Sequence, residues 1–336
     1  MNRTSSFLGF PFVLAVVALA SGIPACAASD GTSSAGVAFD APAVATLEGE
    51  TFVSVLSDGR HAYASTRSDG THAGAVLRIA LDDGALVRLV DAEPAVGSLA
   101  QDEYALYWTH PGTGDVRSIP KVGGPVTTLG RADGLRGNSG AIAVDDAWVY
   151  FTTDLAVHRI AKRGGKAEVL VADPSRPDAI VVDRDSVYWV SRGTANAPEA
   201  RIRAFDKSTG DVTVLGGARF DDTVTRASLA VDDDAVYWID PIGRRVARSS
   251  KADRRETTLA AANDKAIAVT SDGADVFWSV VHDDTDAPSL FRSPAKGGPT
   301  AAVHTGPGGS STVLAVDAKR LTFAGRDRRT LHVVTK

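Results

Sequence analysis

Residues 230–238 read Ala230-Val231-Asp232-Asp233-Asp234-Ala235-Val236-Tyr237-Trp238: an apolar run, an acidic turn, then a β-branched and aromatic run. Short runs of this composition on either side of turn residues read as two strands of a hairpin. The string returns along the chain. Ala143-Val144-Asp145 leads to Tyr150-Phe151, Val181-Val182-Asp183 to Tyr188-Trp189, and Ala100-Gln101-Asp102 to Tyr107-Trp108; in all four copies the Asp precedes the final aromatic by six residues. Three looser copies complete the set. Val55-Leu56-Ser57 to Tyr63 reads as lacking the Asp and the Trp, Ala268-Val269 to Phe277-Trp278 as carrying two extra residues, and Ala315-Val316-Asp317 to Phe323 as lacking the Tyr. The seven aromatic positions, Tyr63, Trp108, Phe151, Trp189, Trp238, Trp278 and Phe323, lie 38 to 49 residues apart. That period is the length of a four-stranded blade. The expected fold is all-β: a β-propeller of seven four-stranded antiparallel blades, rather than six or eight.

Each repeat supplies four strands. Strand a is the apolar run that ends at the Asp, and strand b is the aromatic run. Strand c repeatedly carries arginine (Arg78, Arg117, Arg159, Arg203, Arg248, Arg292), and strand d is a Thr/Val/Leu stretch such as Val126–Leu129 or Glu168–Val171. Between c and d lie turn residues, among them Lys121-Val122-Gly123-Gly124, Arg163-Gly164-Gly165 and Lys207-Ser208-Thr209-Gly210. The last repeat ends after strand c, at Thr330–Thr335. A strand-like stretch at 43–49 precedes the first strand a, so the N-terminus is expected to supply the missing strand and close the ring.

Residues 1–26 read as a signal peptide: Arg3, an apolar core from Phe7 to Ile23, then Ile23-Pro24-Ala25-Cys26, similar to a bacterial lipobox. Cys26 is the expected lipidation site and the only cysteine, so no disulfide can form within the chain. Two or three fatty chains there exceed the marginal anchoring of a single one and give a lipid-anchored protein of the bacterial cell envelope. The alternative is cleavage after Ala27, which leaves a secreted or periplasmic soluble protein. Residues 27–42 begin with a Ser/Gly-rich tether, and 43–336 form the propeller. With 336 residues, a net charge of -5 and 44% hydrophobic residues the chain has an ordinary globular composition, without the basic stripe of a nucleic-acid binder. No nucleic acid is expected as a partner, and the protein is expected to be a monomer.

The string Val236-Tyr237-Trp238-Ile239-Asp240, with related Leu106-Tyr107-Trp108-Thr109 and Val187-Tyr188-Trp189-Val190, resembles the YWTD repeat of lipoprotein-receptor ectodomains and, more closely, bacterial YWTD-like and NHL-like propellers, many of them lipoproteins. The resemblance implies a propeller across residues 44–336. It departs in blade number, since the receptor domains have six, and it implies no particular partner.

The recurring Asp could form a metal-binding ring, but a residue placed identically in most blades reads as a turn carboxylate that accepts backbone N–H groups. The strand c arginines read as partners of nearby acids or turn carbonyls, and the strand b tryptophans as core. No histidine has HxH or HExxH spacing. His282-Asp283-Asp284-Thr285-Asp286 lacks the glycine and distal Glu of a calcium loop. In a propeller the b-to-c and d-to-a loops share one face, and here they are the long, variable ones. Candidate binding residues on that face are His72, His110, Arg192, Asn196, Asp240, His282 and Asp284. The expected function is a non-enzymatic envelope binding or scaffold module, without cofactor or metal, whose partner is an envelope protein or glycan. The alternative is a metal-dependent lactonase or lyase acting at the channel mouth.

Overall fold

The computed structural model describes residues 41–68, 74–93, 96–135, 140–194, 199–220, 227–262, 265–281, 288–305, 313–325 and 327–336, all within one compact unit, Val37–Lys336. The signal peptide, Cys26 and most of the tether lie outside the described residues.

Seven four-stranded antiparallel sheets form the blades. The N-terminal strand β1 (Ala43–Thr46) comes first. Blade 1 is β2 (Glu50–Ser57), β3 (His61–Ser68), β4 (Gly74–Ala80) and β5 (Leu86–Glu93). Blade 2 is β6 (Leu99–Gln101), β7 (Ala105–His110), β8 (Asp115–Pro120) and β9 (Thr127–Arg131). Blade 3 is β10 (Ile142–Val144), β11 (Trp148–Thr152), β12 (Ala156–Ala161) and β13 (Glu168–Ala172). Blade 4 is β14 (Pro177–Val182), β15 (Ser186–Ser191), β16 (Ala200–Asp206) and β17 (Val212–Ala218). Blade 5 is β18 (Leu229–Val231), β19 (Ala235–Asp240), β20 (Arg245–Ser250) and β21 (Glu256–Ala261). Blade 6 is β22 (Lys265–Ser271), β23 (Asp275–Val281), β24 (Pro288–Pro294) and β25 (Ala301–Thr305). Blade 7 is β26 (Leu314–Val316), β27 (Arg320–Ala324), β28 (Thr330–Thr335) and, as its outer strand, β1.

The ring therefore closes as its two ends suggest. β1 pairs antiparallel with β28, Ala45 opposite Leu331 and Thr46 opposite Thr330. Leu47 N–H donates to the Arg329 carbonyl, and Leu47, 5% exposed, packs with Phe52, Val313 and Leu331. β1 also meets the next blade as other d strands do. In blade 3 the c-to-d turn presses on β9, the Gly165 N–H donating to Leu129 O; in blade 1 the equivalent turn residue Gly84 (φ 73) comes so near β1 that a Cβ there would lie 2.2 Å from Val44 O. Only glycine tolerates both that backbone angle and that approach.

Blades stack through strand b. Trp108, Trp189, Trp238 and Trp278 are at most 1% exposed; Trp108 of blade 2, for example, shares a cluster with Val76 and Val90 of blade 1. Burial of each such side chain is favourable by about 1.5–3 kcal/mol.

Two of the looser repeats are better aligned by the structure than by sequence. In blade 1 the turn Asp is present: Asp58 accepts N–H from Arg60 and His61 and the hydroxyl of Tyr63. Tyr63 thus holds the Tyr position and Ala64 the Trp position, with Leu47 and Phe52 in the same cluster as Ala64. Blade 6 has no insertion: Asp272 occupies the turn and Phe277 and Trp278 follow at the usual distance. The Asp is present in all seven blades.

Candidate functional site

The turn carboxylates organise one face of the ring. In the a-to-b turn of blade 3, Asp145 accepts N–H from Ala147 (2.9 Å) and Trp148 (2.8 Å) on one oxygen and the Tyr150 hydroxyl (2.8 Å) on the other. Blades 1, 2 and 4 repeat this at Asp58–Tyr63, Asp102–Tyr107 and Asp183–Tyr188. A lysine from the following blade then joins each carboxylate: Lys121 to Asp58 (3.8 Å), Lys162 to Asp102, Lys207 to Asp145 (2.7 Å), Lys251 to Asp183 (2.6 Å) and Lys336 to Asp272. Each lysine also lies over the aromatic ring of the blade it reaches, as Lys207 does over Tyr150, 5.3 Å from the centroid. Lys162, Lys207 and Lys251 donate in addition to the carbonyl of their own blade's turn Asp. One ammonium group therefore bridges the a-to-b turns of two blades.

Two junctions lack the lysine. Ala295 stands at that position in blade 6 and Leu81 in blade 1. There a serine on the adjoining strand a donates instead, Ser271 to Asp232 (3.1 Å) and Ser57 to Asp317 (2.5 Å). In the sequence Lys121 and Lys207 read as turn residues; the signal for the bridge is a lysine one residue beyond strand c in five of seven repeats. The strand c arginines pair locally, Arg117 with Asp115 and Arg159 with Glu168, while Arg78 donates to the Lys121 carbonyl of the next blade.

Burial raises the pKa of these turn carboxylates, but the backbone, tyrosine and lysine hydrogen bonds outweigh it and hold Asp58, Asp102, Asp145, Asp183 and Asp272 below the ordinary value, Asp102 to about 2. The unfolded chain then binds more protons than the folded one between those values and the usual ~3.9. Their stabilisation is complete above that range and is lost as pH falls toward 2. We expect a melting temperature that changes little from these groups between pH 7 and pH 5 and falls steeply between about pH 4 and pH 2, with a smaller acid loss in Asp102→Asn; differential scanning calorimetry across that range checks it.

The opposite face carries the b-to-c and d-to-a loops. Its channel mouth is a cavity of about 270 Å³ lined by residues of the a strands or just before them, among them Val53, Ser98, Ile180, Ser228 and Ile267. Asp178 lies in this lining; its carboxylate accepts from Arg192 Nη1 (3.0 Å) and the Ala227 N–H (2.9 Å), and the Arg192 guanidinium lies over Phe220 at 4.9 Å. Arg192 is thus the described candidate that reaches the mouth.

His110 and Asp240 sit instead within b-to-c corners, 5% and 3% exposed. His110 Nδ1 lies 3.2 Å from the Thr113 N–H and hydroxyl, and Thr113 donates to Asp115, which also holds Arg117 and Arg131. Burial raises the Asp115 pKa, but those three donors hold it down at about 2. Asp240 accepts from the Arg219 and Gly243 N–H groups and from Arg245, whose other end reaches Glu256 (2.6 Å). His72, Asn196, His282 and Asp284 lie outside the described residues. Among the described residues no three His, Cys, Asp or Glu side chains converge to hold a metal.

The fold defines the class of protein: a seven-bladed β-propeller closed by its N-terminal strand. No protein-family model matches the chain, and no curated protein does. Among solved structures it is similar to a catalytically inactive virginiamycin B lyase from Staphylococcus aureus with quinupristin, at 16% identity over 87% of this chain and 97% of that one (TM-score 0.64). It is also similar to the WD40 propeller domain of Doa1, at 15% identity over 88% and 97% (TM-score 0.65). A third likeness, to a chain of a nidogen/laminin complex, has 19% identity over 78% and 94% (TM-score 0.52). At these identities the similarity concerns the fold.

Proposed function

We propose that the protein is a non-enzymatic binding or scaffold module of the bacterial cell envelope, anchored through lipidated Cys26, that offers its b-to-c and d-to-a loop face to an envelope protein or glycan. The observation that carries this reading is the division of labour between the two faces. The a-to-b turns are tied together by the Asp–Lys bridges, whereas the other face carries connections of unequal length around a cavity where, among the described residues, the single carboxylate, Asp178, is already paired. Variable loops on a rigid frame are where recognition commonly resides.

The test is capture of partners from envelope extract by the protein and by a variant with shortened loops at 192–201, 217–226 and 281–288. A partner held by the first and lost by the second, at equal melting temperature, is the expected result; identical capture by both overturns the placement. Mass spectrometry of the mature N-terminus tests the anchor, since a lipid-free peptide beginning at Ala28 removes it. The alternative, a metal-dependent lyase or lactonase at the channel mouth, draws on the lyase among the similar folds. A stoichiometric divalent ion in purified protein would favour it.

A further inference from the structure

The position on strand c that pairs with the residue before the strand b tyrosine is large and apolar in five blades. It is Ile79 opposite Ala62, Ile119 opposite Leu106, Ile160 opposite Val149, Phe205 opposite Val187 and Val334 opposite Leu321. These side chains face the preceding blade. Ile79 clusters with Val313 and Leu331 of blade 7, Ile119 with Val76 of blade 1, and Ile160 with Val116 and Leu129 of blade 2.

In blades 5 and 6 the same position is serine: Ser249 opposite Val236 and Ser293 opposite Val276. Ser293 donates to the Gly298 carbonyl of its own turn. Ser249 is 1% exposed and its hydroxyl has no partner among the described residues. A buried hydroxyl left unpaired and a side chain too small for its place both oppose folding, so packing alone gives no account of serine here.

Where the missing bulk would sit, a cavity of about 510 Å³ opens between blades 4 and 5 on the a-to-b turn face. Ser249 and Val236 belong to its lining, Tyr188 and Leu215 give it apolar walls, and its outer part holds Asp185 and Asp211. Two other carboxylates there are engaged, Asp183 by Lys251 and Asp206 by the Ser208 and Thr209 N–H groups with Arg254 nearby. Asp185 and Asp211 are exposed and have no ion pair among the described residues. The volume falls within the ~300–1,000 Å³ of ordinary ligand pockets.

We propose that this gap between blades 4 and 5 binds a small organic amine with an apolar body, its ammonium group met by Asp185 and Asp211 at the rim and a polar group at its far end hydrogen-bonded to Ser249. The site lies on the face opposite the partner-binding loops and does not rest on that reading.

Equilibrium dialysis of the full chain with tyramine, tyrosol and phenethylamine tests it. Tyramine carries both the amine and a distal hydroxyl; tyrosol lacks the charge and phenethylamine lacks the hydroxyl. The expected result is saturable tyramine binding, weakened about tenfold in either analogue, the order of factor that loss of one hydrogen bond to a charged or buried group carries. Ser249→Ile should abolish tyramine binding and raise the melting temperature by filling the gap, with Ser249→Val as the smaller replacement if isoleucine does not fold. Asp185→Asn with Asp211→Asn, both exposed, should weaken tyramine about tenfold and leave tyrosol unchanged. Equal binding of the three compounds, tyramine binding unaffected by Ser249→Ile or Ser249→Val, or no tyramine binding at all overturns the proposal and leaves the gap as a packing defect.

Discussion

Deletion of residues 43–49 is expected to destabilise the propeller by about 3–6 kcal/mol and to make it self-associate. The deletion removes β1 and with it the Ala45–Leu331 and Thr46–Thr330 pairing. It also removes Leu47, whose place in the cluster with Phe52, Val313 and Leu331 spans blades 1 and 7; loss of one buried leucine side chain alone costs about 2–5 kcal/mol. The backbone of β28 then becomes a free edge, and an unpaired edge strand is a template for another chain. Denaturant melts measure the first effect and size-exclusion chromatography the second. An unchanged melt with an unchanged elution volume would show that the ring is held without its N-terminal strand.

Asp145→Ala should lower stability by about 2–4 kcal/mol and the melting temperature by about 5–10 °C. Four donors lose their acceptor at once: the Ala147 and Trp148 N–H groups, the Tyr150 hydroxyl and the Lys207 ammonium. Removal of one member of a partly buried charged pair leaves the other poorly compensated, which is why the cost exceeds that of an exposed ion pair. Lys207 keeps the Asp183 carbonyl at 2.6 Å, which limits the loss. Asp146→Ala, one residue away and exposed, is the control and should change stability by no more than about 0.5 kcal/mol. Equal effects of the two substitutions in thermal melts would remove the turn carboxylate from any structural role.

The architecture was legible because it rests on local chemistry repeated in register. An apolar run, an Asp that can accept two turn N–H groups and an aromatic run carry their meaning within about ten residues, and seven copies leave few alternatives to a closed ring. The alignment of blades 1 and 6 was not legible. At Ala64 the aromatic marker is missing, with Leu47 and Phe52 in the cluster that surrounds it; in blade 6, Ala268-Val269 imitates the Ala-Val that elsewhere directly precedes the Asp, while Asp272 is the true turn residue. The lysine bridges were hidden for a different reason: each joins residues 60 to 68 positions apart in different blades, so no local window contains both partners. Ser249 was invisible as well, since a serine in a strand attracts notice only when its register sets it beside Ile79, Ile119, Ile160, Phe205 and Val334. Of the candidate site, Arg192 reaches the channel mouth through Asp178, while His110 and Asp240 anchor their own corners. The loop sequences on which the proposed function rests are constrained by no repeat.

The two serine-bridged junctions have a mechanical consequence. Lysine bridges run unbroken from blade 1 to blade 5 and again from blade 6 to blade 7, but Ser271 to Asp232 joins blades 5 and 6, and Ser57 to Asp317 joins blades 7 and 1. Continuity across those two seams therefore rests on other contacts: Lys296 pairs with Asp234 across the first and Arg320 with Asp82 across the second. Apolar clusters that join Tyr237 to Trp278 and Phe52 to Leu331 span the same seams, and β1 is a further strap across the one between blades 7 and 1.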